Sequence, residues 1–291
     1  MEIRFSEFRK PGTDMIRLKQ EIYGVAALDT KRMIPKEITD SARRLCRPPT
    51  FKAVHKNGEF VEDLEGDFCF WQELAFTSTY YVGVDPSLGA IGAALGAIVA
   101  IDAKTGAVVA TAGFREMNSI DLAAMTLALC QKLCGPRGQG YAQVVPESTG
   151  IGGVFLTELK RLRWTNVFMH NGVSLGMPNI DRGEKLLTEY GRALRDGDTI
   201  AMDHRIVDDL EHFEYDQQIK LVFTGLVGHG DLGQAAALAW WGARERRKSV
   251  LDAENKPWNK GKHPIELEPG YVSGKRGLKK SGWSARFALR N

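Results

Sequence analysis

Three carboxylates in this chain stand where an acid can do chemistry. Asp85 ends the short β-rich run Tyr80-Tyr81-Val82-Gly83-Val84 and is followed by Pro86, Ser87, Leu88 and Gly89. Glu147 follows a second β-rich run, Tyr141 to Val145, through Pro146. Asp231 follows Gly228-His229-Gly230 and opens the alanine-rich stretch Leu232 to Trp241. Each acid marks the junction of a regular element with a Gly- or Pro-containing loop. Each also has an ordinary explanation, because Asp-Pro opens turns and Asp caps helices. Taken together, the three can converge at one end of a sheet. Carboxylates at close range repel and persist as anions only when divalent cations neutralise them. An all-oxygen donor set selects Mg2+ or Mn2+ over zinc. Such a cluster can hold two ions, one activating water and the other stabilising the leaving oxygen of a phosphodiester.

The elements that must position these acids are legible in the pattern. Tyr80 to Val84 predicts a central strand. Ala97 to Ile101 predicts a second, and the Lys104-Thr105-Gly106 turn folds it onto a third, Ala107 to Ala112. From Ser119 the period changes. Ile120, Leu122, Ala123, Met125, Leu127, Ala128, Leu129 and Leu133 predict a mostly buried helix with Ser119 as N-cap, ended by Gly135 to Gly140. Thr149-Gly150-Ile151-Gly152-Gly153 opens a helix over Val154 to Leu162, and its glycines allow close backbone approach to an anion. Trp164 to Met169 predicts a strand. Asp181 to Arg195 predicts a helix with Leu186, Leu187, Tyr190 and Leu194 inward and Arg182, Lys185, Arg192 and Arg195 outward, stopped by Gly197. Thr199 to Met202 reads as a short strand. Arg205 to Phe213 reads as a helix whose Asp208, Asp209 and Glu211, with the following Glu214, form a solvated acidic face. Ile219 to Thr224 reads as an edge strand.

Composition sets the class. The 291 residues are 43% hydrophobic and 26% charged, as in a globular protein, and a formal net charge of +3 does not by itself mark a nucleic-acid binder. Cys46, Cys69, Cys130 and Cys134 form no C-x-x-C pair, so free thiols in a reducing compartment are expected. No apolar run has membrane-spanning length and no signal-peptide pattern is visible at the N-terminus, which predicts an intracellular protein. Residues 1–75 are less regular, punctuated by Pro11-Gly12 and Pro48-Pro49, with a short helix over Ile38 to Leu45. A mostly aromatic cluster of Phe68, Phe70, Trp71 and Phe76 with Leu74 is expected to pack on the main domain. The division predicted is a linker or small subdomain over 1–75, a main domain over 76–248 and a basic tail over 249–291. From Pro269 to Asn291 the tail carries Lys275, Arg276, Lys279, Lys280, Arg286 and Arg290 and no acid, with Trp283 and Phe287 interleaved. That pattern fits either a solvated tail or contact with DNA phosphates.

Three motifs in order carry a family resemblance: Gly83-Val84-Asp85-Pro86-Ser87, Val145-Pro146-Glu147-Ser148, and Gly228-His229-Gly230-Asp231 with its alanine-rich helix. From about Tyr80 to Arg247 the chain resembles the C-terminal nuclease domain of large terminase subunits, the DNA-packaging proteins of tailed bacteriophages. The resemblance implies an α/β fold of the ribonuclease H-like kind, a mixed central sheet flanked by helices. It implies endonucleolytic cleavage of double-stranded concatemeric DNA, with Asp85, Glu147 and Asp231 as metal-binding acids. It also implies double-stranded DNA, a small terminase subunit and the capsid portal as partners, in the cytoplasm of a host bacterium. Two departures stand out. Many family members carry paired acids where this chain has Gly230-Asp231, which bears on a second metal ion. No G-x-x-x-x-G-K-[ST] occurs, so no ATP hydrolysis is expected of this chain. A nuclease-only product, half of a split terminase partnered by a separate ATPase chain, and a truncated prophage remnant all fit.

Arg182, Lys185 and Arg192 are candidate guides for the DNA backbone, against the plainer reading of a solvated helix face. Three other function classes fit parts of the sequence. A resolvase- or transposase-type nuclease could share the acids, and activity restricted to branched DNA would mark it. An actin-like or sugar-kinase-type phosphotransferase could use Asp85 to Gly89, but Gly150 to Gly153 lacks the acid of a second phosphate loop. A non-catalytic DNA-binding assembly module would show no metal-dependent nicking.

Overall fold

The computed structural model describes residues 31–89, 94–136, 138–178, 183–216, 220–225 and 230–254. The candidate DNA contacts Arg182, Lys275, Arg276, Lys279 and Lys280 fall outside the described residues, as does the predicted tail from 255 onward.

The centre is the strand β4 (Thr79–Asp85), buried almost throughout. It pairs antiparallel with β5 (Gly96–Asp102) and parallel with β7 (Tyr141–Pro146), and β5 pairs antiparallel with β6 (Val108–Phe114). A three-stranded meander with a fourth strand parallel to the first is the ribonuclease H-like arrangement that the family resemblance implies. The continuous apolar runs of β4 and β5 follow from being covered on both faces. One face is closed by α2 (Ser119–Cys134) and α3 (Ile151–Arg161), through Leu122, Leu129, Leu133, Phe155 and Leu159. The other is closed by α4 (Glu184–Asp196), α5 (His204–Glu211) and α6 (Asp231–Glu254). Here the alanines of α6 pack on Tyr81, Val99 and Ile101.

The sheet is wider than the sequence pattern indicates. Residues 51–70, assigned above to an irregular segment, supply β1 (Phe51–Lys56), β2 (Glu59–Glu62) and β3 (Phe68–Phe70). These extend it to seven strands in the order β2-β1-β3-β6-β5-β4-β7. Phe68 and Phe70 are therefore core residues of a strand, while Phe76 stays exposed. The short helix expected near Ile38 is α1 (Lys36–Arg43), which packs against α4 and α5. Two predicted strands reduce to single bridges, Val144 to Val167 and Ala107 to Ile200. Met169 pairs instead in a small hairpin of β8 (Met169–His170) and β9 (Ser174–Leu175). Phe213 leaves the predicted helix to begin β10 (Phe213–Tyr215), which pairs with β11 (Leu221–Phe223).

The cap of α2 is Asn118 rather than Ser119. Its side chain accepts from the amides of Ile120 and Asp121, and Ile120 is 51% exposed. All four cysteines are free, Cys69 and Cys130 buried and Cys46 and Cys134 half-buried. Among the described residues no helix is long and apolar enough to cross a membrane.

One buried ion pair ties α5 to the sheet. Asp203, 1% exposed, takes Arg205 Nη2 at 2.7 Å and the Thr111 hydroxyl at 2.7 Å, and Arg205 also donates to Thr111 Oγ1 at 3.0 Å. Burial pushes the Asp203 carboxyl up, but pairing with Arg205 outweighs it and holds the group below its ordinary value of 3.8. The contribution of this pair is therefore present at neutral pH and lost as the pH falls through the lowered native value. Arg205→Ala leaves the carboxylate buried without its cation. The expected loss in urea unfolding is about 3 kcal/mol, the lower end for broken buried pairs because the guanidinium retains some contact with water.

Candidate functional site

Asp85 and Glu147 are neighbours by register. In the parallel pairing of β4 with β7, Val84 lies opposite Pro146, and the ladder continues as the Glu147 amide donates to the Val84 carbonyl at 3.1 Å. The next residue on each strand is an acid, and adjacent strands run about 4.8 Å apart. Both acids belong to the face covered by α6. Asp85 follows Tyr81 and Gly83 at the two-residue spacing of one strand face. A Cβ on Gly83 would collide with the carbonyl oxygen of Ala235 in α6. Glu147 follows Val145, and a Cβ on Gly242 of α6 would lie 2.6 Å from Val145 Cγ2 and 2.7 Å from Tyr81 Cδ1.

The helix therefore runs antiparallel to β4 and brings its first residue to the Asp85 end. That residue is Asp231, one turn before Ala235. Its Oδ2 accepts the Leu95 amide at 2.7 Å, just ahead of β5, where Ala97 pairs with Asp85. All three acids thus come to one end of the sheet. They are buried there: Asp85 is 5% exposed, Glu147 8% and Asp231 3%. The long run of small residues in α6 has its reason here, since a helix that rests backbone to backbone on Gly83 has no room for larger side chains.

Glu147 is fixed from behind. Its partner across the loop is Met177, whose carbonyl accepts the Ser148 amide at 2.9 Å and whose own amide donates to Pro146 at 2.8 Å. A Cβ on Gly152 would collide with the Glu147 carbonyl oxygen. The close approach that the Gly150 to Gly153 loop permits is therefore to the chain's own backbone.

The acidic run on α5 is not a uniform solvated face. Asp208 and Glu211 pair with Arg43 of α1 at 2.6 and 3.0 Å. Asp209 turns inward, and its Oδ2 accepts the Gly233 amide of α6 at 3.0 Å. Burial pushes the Asp209 carboxyl up to about 6. The Gly233 and Leu232 amides hold it down, and the Asp231 carboxylate adds to the rise. Sequence reasoning missed this acid because its partner lies on another helix.

The candidate cationic guides have intramolecular partners. Lys185 is exposed and lies 5.9 Å from the centroid of the Trp241 ring. Arg192 is half-buried and pairs with Glu189 at 2.9 Å, which also takes Arg244 at 3.1 Å.

The donor chemistry at the acid end is that of a hard cation site, three carboxylates and no sulfur or imidazole among them. Among the described residues no group of three or more His, Cys, Asp or Glu is arranged to hold a metal ion. The fit is therefore in donor type and backbone placement.

No family model matches the chain, and no curated protein sequence matches it. Solved structures do. The large terminase nuclease of the thermophilic phage G20c matches with a TM-score of 0.48 and 18% identity, over 70% of this chain and 97% of that one. The same nuclease solved with bound cobalt gives 0.49 and 18%, over 70% and 96%. The large terminase nuclease domain of Thermus phage P74-26 gives 0.47 and 18%, over 69% and 93%. The chain is similar to these nuclease domains at low identity.

Proposed function

We propose that this chain is a divalent-metal-dependent endonuclease that cuts double-stranded viral DNA during genome packaging. The observation that carries the reading is the meeting of two neighbouring strand ends and one helix start, each bearing a buried acid. The motif order described above supplies the substrate class.

In this reading Asp85, Glu147 and Asp231 hold Mg2+ or Mn2+ through oxygen donors. When bound, such ions activate water and stabilise the departing oxygen of a phosphodiester. Asp85 and Glu147 present their donors from adjacent strands, so their separation is set by the sheet and not by loop motion. Asp231 supplies the third side from a helix end seated on Gly83. Burial of the three side chains limits competing water and strengthens their interaction with a cation. Lys185 and Arg192, with Arg182, Lys275, Arg276, Lys279 and Lys280, are proposed phosphate contacts. A separate motor ATPase chain, a small terminase subunit and the portal are the proposed partners.

Incubation of supercoiled plasmid with the protein tests the reading. Nicked and linear DNA are expected with Mg2+ or Mn2+ and not with excess EDTA. Cleavage that persists in EDTA, or none with either ion, counts against it.

A further inference from the structure

We infer that Asp209 is a positioning residue for Asp231, an inference that rests on the nuclease reading above. Two observations carry it besides the hydrogen bond from the Gly233 amide to Asp209 Oδ2. The first is the glycine itself. A Cβ at Gly233 would lie 3.1 Å from Asp209 Cβ and 3.3 Å from Leu210 Cδ2, so α5 and α6 touch at this point with little spare room. The second is the anchoring of α5. Asp203 caps it by accepting the Arg205 amide at 3.0 Å and is itself clamped to Thr111 of the sheet. Arg43 ties Asp208 and Glu211, on either side of Asp209, to α1.

The first-turn amides of a helix have no partner within the helix. In α6 the residue that opens the helix, Asp231, accepts the Leu95 amide through Oδ2. The Gly233 amide is satisfied by a carboxylate from a neighbouring helix that is tied down at both ends. Asp209 therefore fixes the first turn of α6, and with it the direction in which Asp231 is presented. Groups that hydrogen-bond a metal ligand directly are worth roughly 10- to 100-fold in metal affinity. Asp209 acts one step further back, through the helix backbone, so the lower end of that range is the upper bound here.

The test compares Asp209→Ala with Asp209→Asn in the full chain. The asparagine side-chain oxygen still accepts an amide hydrogen, and alanine cannot. Two quantities are read: Mn2+ affinity by calorimetry, and hydrogen exchange of the amides at 232 to 234. In Asp209→Ala, Mn2+ binding is expected to weaken severalfold, up to about tenfold, and these amides are expected to exchange faster. Asp209→Asn is expected to stay near the parent in both. Unchanged exchange in Asp209→Ala overturns the capping role. Faster exchange with parental Mn2+ affinity overturns the link to Asp231, and so does equal weakening in both variants. If the parent itself binds no Mn2+, it is the nuclease reading that fails, and the exchange data still decide whether Asp209 holds the helix.

Discussion

Asp85→Ala is expected to lower metal-dependent plasmid cleavage by at least about 10²- to 10³-fold, the scale seen when one preorganised electrostatic group is removed from an active site. The fold should survive. Asp85 is the last residue of β4, and its backbone pairing with Ala97 does not depend on the side chain. Removing one of three buried acids also relieves repulsion, so the melting temperature should hold or rise in metal-free buffer. Asp85→Asn is the control for shape. It keeps the volume and loses the charge, and it should be nearly as inactive. A variant that cuts as well as the parent would remove Asp85 from the site.

Gly83→Ala is expected to cost both stability and activity. The added methyl would run into the backbone carbonyl of Ala235, which cannot rotate away as a side chain can. Overpacking of this kind costs about 1–3 kcal/mol. The helix must lift from the sheet at the point one turn beyond Asp231, which carries that acid away from Asp85 and Glu147. Misplacement by about 1 Å is worth roughly 10²-fold in rate. Urea denaturation and nicking assays on the same preparation read the two losses. The informative contrast is with Gly113→Ala on β6, where the nearest atoms to a new Cβ are the ends of the Leu95 and Leu232 side chains at 3.7 and 3.9 Å. That variant should stay close to the parent. If Gly83→Ala also does so, the helix does not rest on the sheet as described.

The two variants also show which parts of the molecule the sequence could reveal. The strands β4, β5, β6 and β7 are apolar runs ended by turn residues, and a buried position between two helical layers leaves that signature without reference to anything distant. The junction of each acid with its element was legible for the same reason. The arrival of all three backbone positions at one end of the sheet was not, because it depends on the parallel register of β4 and β7 and on the seat of α6 over Gly83. Nothing in Gly83 itself announces that seat.

The strands β1 and β2 were missed because their burial is slight and their sequences, FKAVHK and EFVE, mix charge with apolar residues. They belong to the sheet through β3, which reaches Ala110 and Ala112 of β6. The acids of α5 are the sharpest case. A run of Asp and Glu on a short helix has the look of a solvated face, yet Arg43 takes two of them and the first turn of α6 takes a third. Helix capping across elements leaves no periodic trace in the chain. The cap of α2 lies one residue before the position that the pattern predicts, for a smaller reason. Asn118 and Ser119 both have capping side chains, and only the backbone decides between them: Asn118 is extended and Ser119 is already helical.

The central claim is that one end of the sheet gathers divalent cations among Asp85, Glu147 and Asp231. Crystals grown or soaked with Mn2+ and measured at the manganese absorption edge test it most directly. The expected result is an anomalous peak within coordination distance of oxygens from all three side chains, lost in Asp85→Ala. Manganese bound only elsewhere, or three carboxylates turned to different surfaces with no peak between them, would contradict it.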